Sequence, residues 1–389
     1  MEAPAKASGV DDLPANTGRS NRGNDKGDME PRVSLGTQSV RLATTMTGGV
    51  SLAIWMGGVS RELNLLQQAS QWRSRLRKTD PLPSLGQVTG PENKLRALYL
   101  TLLDLLDVSV DVDVLSGASA GGINAALLGY ARVHGKDLGS LRGLWLNLGS
   151  LIGLLRDPRD QDVASLMYGD RNLFKPVAEA LTTLSDALPL PPRLPSVIDE
   201  SPLPTKLFIT TTLLNGEISR VTDSFDTIVQ DVDHHGLFVF RETELIKPGS
   251  AIALGLAARS SAAFPAAFEP SFLPFDSAVD SEPAVPARPP MRAFANITRA
   301  HWVADGGLLD NQPIGPLLEE IFDRSATRAV RRVLLYVVPS TGNAPDPLQE
   351  MPGDDVTKPF GLIDGLMKDL AAVTSQSIAT DLRRIRDQQ

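Results

Sequence analysis

The chain contains no cysteine in its 389 residues. That excludes disulfides, a thiol nucleophile, Fe–S clusters and cysteine-bound structural zinc, and it fits a reducing compartment. Basic residues are outnumbered 38 to 46, for a net charge of −8. The electrostatic footprint of a nucleic-acid binder is therefore missing, and no nucleic-acid partner is expected. Residues 1–13 hold no apolar run of signal-peptide length. The longest uncharged stretches, 43–60 and 115–131, are rich in Gly, Ala, Ser and Thr and contain turn signals. They read as buried strand–turn–helix segments rather than membrane spans. The expected location is cytoplasmic, with peripheral contact at a membrane surface left open. Aromatic residues are also scarce, and none precedes Trp55. Residues 1–35, dominated by Gly, Pro, Asp, Asn and Ser, read as a disordered tail with too little apolar surface to offset the entropy of ordering.

Hydrophobic residues make up 42% of the chain, enough for a substantial core. Apolar spacing predicts strands over 40–45, 110–115, 237–240 and 303–305, and helices over 51–77, 92–106, 123–132, 172–184, 250–259 and 313–322. Residues 206–214 and 217–222, flanking Asn215-Gly216, read as a β-hairpin. The run 333–338 reads as a strand buried on both faces. Prolines mark insertions at 189–204 and 276–290. Strands alternating with helices imply an α/β layered fold with a mostly parallel sheet. The expected organisation is the tail, one domain over 36–345, and a helical extension over 346–389. Residues 381–389 read as an unfinished helix, consistent with a longer parent protein.

Three short motifs carry chemistry. Gly117-Ala118-Ser119-Ala120-Gly121 follows a strand and precedes a helix. This is the context a G-x-S-x-G nucleophile needs: a sharp corner closed by glycines, with helix N–H groups and the positive dipole end aimed at the hydroxyl. A plain tight turn is the competing reading. Thr47-Gly48-Gly49-Val50-Ser51 also joins a strand to a helix and exposes backbone N–H groups suited to an oxyanion or a phosphate. It matches neither the P-loop nor the complete dinucleotide pattern. Asp305-Gly306-Gly307 ends a strand with a carboxylate, which is also how an ordinary Asp–Gly turn looks.

In this order the motifs resemble those of the patatin-like phospholipases, and the similarity extends over roughly 40–338. The segment Ala257-Ala258-Arg259-Ser260-Ser261-Ala262-Ala263-Phe264-Pro265 adds to the resemblance, and residues 46–59 are most similar to an actinobacterial patatin-related branch. The resemblance implies a three-layer fold, a mostly parallel central sheet with helices on both faces, and a serine acyl hydrolase acting on lipid esters. It implies Ser119 as nucleophile and Asp305 as base. Gly48, Gly49 and Val50 would be oxyanion donors, Gly117 and Gly121 the elbow glycines, and Gly306 and Gly307 a supporting turn. No cofactor or metal is implied. The glycine loop departs from the commoner pattern, with Thr47, Ser51 and Leu52 at positions where Gly, a basic residue and Gly are usual. That departure supports one alternative, a non-catalytic lipid-binding or scaffold member of the fold.

A second alternative is a Ser–His–Asp esterase. Four histidines are available, and His301 is the one placed late enough to follow an acid such as Asp276 or Asp280. Asp231-Val232-Asp233-His234-His235 reads as a solvated loop rather than a metal site, because no second ligand cluster accompanies it. The apolar stretch 144–155 is a candidate for acyl-chain or membrane contact, against the plainer reading of a core helix. The oligomeric state is left open.

Overall fold

The structure is a computed structural model that describes residues 30–49, 53–84, 86, 88–148, 155–157, 159, 164–191, 203–222, 227–326 and 329–338, with single positions at 361, 365, 368, 372 and 386. The expected extension over 346–389 lies outside the described residues apart from those single positions, and residues 1–29 of the expected tail lie outside them entirely. Structure begins earlier than the composition implied. The Arg32 N–H donates to the Leu76 carbonyl at 2.8 Å, and the Arg32 guanidinium pairs with Asp104 at 2.7 Å.

In chain order the elements are β1 (Gln38–Met46), α1 (Ala53–Arg73), α2 (Pro91–Leu105), β2 (Val108–Gly117), α3 (Ala120–His134), α4 (Leu141–Leu148), a π-helical turn (Asp170–Phe174) running into α5 (Lys175–Thr183), β3 (Lys206–Thr222), β4 (Ile228–Arg241), α6 (Ser250–Ser261), β5 (Ser271–Leu273), β6 (His301–Asp305), α7 (Ile314–Asp323) and β7 (Val330–Val337). Local sequence explains several boundaries. Pro91 opens α2, where its missing N–H is no loss. Gly135 ends α3 in the left-handed conformation that glycine accepts most readily.

The sheet order is β5-β6-β3-β2-β1-β7, with β4 on the other edge of β3. β7, β1, β2 and β3 run parallel, with β7 at the edge of the sheet; β4, β6 and β5 add antiparallel pairs. Period-two alternation divides the core. From β3, Leu207 and Ile209 enter the large cluster with residues of α1, α3, α5 and α6, whereas Phe208 points to the opposite face and joins Leu317 of α7. Helices thus cover both faces of a mixed α/β sheet.

Two strand expectations are corrected. Asn215-Gly216 is not a hairpin turn. β3 continues through it for 17 residues beside β4, with a register shift between Thr212 and Glu217. Gly216 has φ +54°, which lets the chain bulge without leaving the ladder. The run 333–338 belongs to β7, which pairs only with β1 among the described strands and is half-buried along most of its length. An apolar run reports local composition, whereas burial on both faces also needs a layer packed over each face, and β7 lies at the edge of the sheet. A smaller difference follows the same pattern. Residues 231–235 lie in β4 rather than in a loop. Of the 144–155 stretch, residues 144–148 lie in α4, where Trp145 and Leu148 are buried as the plainer core-helix reading has it, while Leu146 and Leu155 are exposed.

A buried ion cluster ties the parallel strands together. Asp113 of β2 is fully buried and accepts from Arg332 of β7 at 2.8 and 3.0 Å and from Arg324, beyond α7, at 2.9 Å. Asp113→Ala would leave two guanidinium groups facing a vacated buried site. The expected loss is about 3–5 kcal/mol, the usual cost of breaking a buried pair on one side. Urea unfolding of the variant beside wild type measures it.

Candidate active site

Two strands of opposite direction bring the chemistry together. β2 ends at Gly117, paired with Ile209 of β3. β6 ends at Asp305, paired with Thr211 of the same strand. Partners two residues apart on one strand are about 7 Å apart along it. The residue just beyond the end of β2 is thereby brought next to the last residue of β6. Ser119 Oγ donates to Asp305 Oδ2 at 2.7 Å, with both residues buried.

The corner at Ser119 is tight. Ser119 has φ 52° and ψ −127°, outside the usual range for a non-glycine residue. Glycines make the corner possible by close approach. A Cβ at Gly117 would lie 2.5 Å from the Gly121 carbonyl oxygen, and one at Gly121 would collide with the Met46 carbonyl. The gap between the expected strand over 110–115 and the expected helix over 123–132 is shorter in the structure, because β2 runs to Gly117 and α3 begins at Ala120. Of the first four N–H groups of α3, those of Gly122 and Ile123 donate to the Ala118 and Ser119 carbonyls at 3.1 and 3.2 Å, and the positive end of the helix dipole lies at Ser119.

Asp305 sits at the start of a short helical turn, Gly306–Leu308, and its Oδ1 accepts from the Gly307 N–H at 2.7 Å. Burial pushes this carboxyl up to about 7, even though hydrogen bonds from Ser119 and Gly307 and the charge of Arg259 favour the ionised form. A carboxylate this poised can exist as a base near neutral pH and can equally hold a proton.

The glycine loop behaves differently from expectation. It passes directly against Ser119: a Cβ at Gly48 would lie 2.9 Å from Ser119 Cβ. Yet the Gly48 N–H, expected as an oxyanion donor, donates to Asn311 Oδ1 at 2.8 Å. Gly49 is described beside it, while Val50, Ser51 and Leu52 lie outside the described residues. Asn311 went unnoticed in the sequence. Its signal was position, six residues after Asp305 and two before Pro313, in a stretch otherwise read only for Asp305-Gly306-Gly307. That stretch is strapped across the strand ends by the Thr210 hydroxyl donating to the Asp310 carbonyl at 3.0 Å and the Ser116 hydroxyl donating to the Pro313 carbonyl at 2.8 Å.

His301 does not join the dyad. Its ring is buried against Glu217, with Nε2 at 2.8 Å from Oε1. Burial opposes ionisation of Glu217, but hydrogen bonds from Thr298 and His301 outweigh it and hold the carboxyl at about 2. His235 pairs with Asp233 at 2.8 Å, and His234 Nδ1 lies 2.6 Å from the Leu213 carbonyl oxygen. Among the described residues no group of three His, Cys, Asp or Glu side chains is arranged to hold a metal ion.

Comparison with known proteins agrees with this architecture. The patatin-like phospholipase family model matches residues 95–318, more than half of the chain. The matched segment contains Ser119, the 257–265 segment, Asp305 and Asn311, and it begins downstream of the glycine loop. The chain belongs to the patatin-like phospholipase family. It is also 61% identical over 353 residues to a protein of Mycobacterium tuberculosis described as an uncharacterized membrane protein, an alignment that covers 91% of this chain and 32% of that one. The chain therefore spans about a third of the length of that relative.

The raised Asp305 carboxyl has a consequence for stability. Its folded-state value of about 7 stands above the unfolded value near 3.9. Between these values the folded chain retains a proton that the unfolded chain releases, so the stability due to this group is complete below about pH 4 and is lost as pH rises through 7. Asp305→Asn has no such penalty. Its stability relative to wild type should be higher at pH 8 than at pH 4 by an amount on the order of 3 kcal/mol, read from denaturant unfolding at both pH values.

Proposed function

We propose that the chain is a serine acyl hydrolase that cleaves ester bonds of lipids through a Ser119–Asp305 dyad. The observation that carries this reading is the buried 2.7 Å hydrogen bond from the Ser119 hydroxyl to the Asp305 carboxylate, at the corner between a strand and the N-terminus of a helix. Ser119 Oγ attacks the ester carbonyl carbon as its proton passes to Asp305. The tetrahedral intermediate collapses, the alcohol leaves with the proton returned by Asp305, and an acyl-serine remains. Water, deprotonated by the same carboxylate, then attacks the acyl carbon; the bond to Ser119 Oγ breaks, the fatty acid leaves and Asp305 returns the proton to Ser119 Oγ.

Serine hydroxyl and free carboxylate differ in acidity by roughly ten units, so proton transfer needs help from both sides. Burial of Asp305 narrows the gap by strengthening the base. Backbone donors narrow it further by stabilising the oxyanion, at about 3–4 kcal/mol each. We assign that role to the Gly49 N–H and the first N–H of α3 at Ala120. The Gly48 N–H joins them when a substrate carbonyl displaces the Asn311 amide oxygen.

The reading treats residues 36–345 as one catalytic domain. A lipid ester is the expected substrate class, consistent with the exposed Ile54 and Trp55 just after the glycine loop and with Leu309 just after the Asp305 turn. Among the described residues no helix is long and apolar enough to cross a membrane. The mycobacterial relative, of which this chain covers about a third, is described as a membrane protein, and peripheral contact of these exposed residues with a lipid surface is part of the proposal.

Labelling with a fluorophosphonate probe tests the nucleophile. Wild type should label at Ser119 and Ser119→Ala should not, whereas a folded wild type that fails to label points to a lipid-binding scaffold. For the base, Asp305→Asn should lower ester hydrolysis about 10³-fold, and His301→Ala should leave most of it intact. Because Asp305 must be ionised to accept the proton, wild-type kcat/KM should rise with pH to a plateau above about 7. A large loss in the His301 variant would instead support a triad.

A further inference from the structure

The segment 257–265 forms part of the family resemblance, yet the mechanism above gives it no task. The structure places it against both members of the dyad. α6 ends at Ser261, a fully buried residue whose Oγ accepts the backbone N–H of Ser119 at 2.8 Å. Two residues later the Ala263 carbonyl accepts the backbone N–H of Asp305 at 3.0 Å. The nucleophile and the base thus hang by their own amides from one short stretch of chain.

We infer that Ser261 is a positioning residue that, together with the Ala263 carbonyl, sets the separation and orientation of Ser119 and Asp305. The inference rests on the dyad reading above. Ser119 precedes the first turn of α3, so its N–H has no acceptor within that helix. Its backbone is also held at positive φ, a conformation that persists only where surroundings impose it. The Ser261 hydroxyl supplies that constraint from outside the elbow.

The support under Ser261 is stiff. Ser260 Oγ bonds Ser271 Oγ of β5 at 2.9 Å. Arg259, fully buried, is held by Asp170 at 3.3 Å and by the Glu269 carboxylate and carbonyl at 3.2 and 2.8 Å. On the α3 side there is little slack, because a Cβ on Gly122 would come within 3.0 Å of Ser261 Oγ. α6 therefore transmits a fixed position to the elbow. Without the Ser261 acceptor, the Ser119 amide is left buried and unpaired, and its backbone is free to relax toward negative φ, carrying Oγ away from Asp305.

The test uses the full chain, a fluorophosphonate probe and a short-chain p-nitrophenyl ester. Ser261→Ala should slow labelling of Ser119 and lower kcat by about 10- to 100-fold, the scale of an ångström-level misplacement, with KM little changed. The rise of kcat with pH should also move to higher pH, because the Ser119 hydrogen bond favours ionised Asp305 and is weakened. Arg259 of α6, the charged group that acts on Asp305, is unchanged in the variant. Ser250→Ala is the control: it removes a buried hydroxyl at the far end of α6, bonded to the Leu245 carbonyl at 2.6 Å and remote from the dyad, and its kcat should match wild type. If the alanine variant does not fold, Ser261→Cys, nearly isosteric with a weak acceptor, should show the same slow labelling and shifted profile. Wild-type labelling rate and pH profile in a Ser261 variant would overturn the inference while leaving the dyad standing. A wild type that does not label at Ser119 would sink both.

Discussion

The ladder on β3 governs this structure. β2 and β6 approach the same edge of that strand from opposite directions and end two residues apart, at Ile209 and Thr211. Strand spacing and pleat leave little freedom in where the next residues go. Ser119 emerges just beyond one end, and Asp305 is the other end. Their hydrogen bond is a product of sheet register, set by groups that have no acyl-transfer chemistry of their own. Thr211 and Thr212 reinforce the register by donating side-chain hydroxyls to the Ala304 and Asp305 carbonyls at 2.9 and 2.8 Å.

Burial then converts position into reactivity. A carboxylate in water is too weak a base for a serine hydroxyl. Desolvation raises Asp305, and the protein limits the rise with two hydrogen bonds and the field of Arg259. Arg259 is itself buried, and desolvation pulls its guanidinium below the usual value against the pull of Asp170 and Glu269. Burial also opposes ionisation of Glu269, but Arg259, Ser165 and Arg156 hold its carboxyl at about 2. The one raised carboxyl at the site therefore stands beside a network of buried, paired charges. An unpaired buried charge would be untenable in that setting, and the pairing is what allows Arg259 to lie under Gly169 and brace α6.

The segment after Asp305 links the parts that strands alone do not. It is held to β3, to the loop after β1 and to the end of β2 through Asp310 to Thr210, Asn311 to Gly48 and Pro313 to Ser116. Asn311 therefore couples the loop after Asp305 to the glycine loop. The substituted loop, with Thr47 in place of a glycine, keeps its place against Ser119 through this side-chain contact and through the Thr47 N–H bonded to the Val337 carbonyl at 3.1 Å.

Much of this was legible in the sequence because the relevant constraints are local. Gly117 and Gly121 around a serine, after a β-branched run and before a helical one, specify a tight corner whatever surrounds it. Two glycines after Asp305 likewise specify a carboxylate at a turn. Period-two and 3.6-residue patterns located most elements to within a few residues. What failed involved neighbours distant in sequence. Asn215-Gly216 has hairpin chemistry, but pairing with β4 carried β3 straight through it, with Gly216 at positive φ absorbing the bulge. The apolar run in β7 found a partner on one side only. His301 was eligible as a general base until Glu217, 84 positions away, claimed its ring. The sequence by itself determined which residues are able to react and the local turns that present them, because φ/ψ preference and hydrophobic period act over a few residues. Only the tertiary structure decided which of those residues meet, which amides remain free and how far a carboxyl is desolvated, because register, burial and long-range hydrogen bonds exist only once the chain has closed on itself.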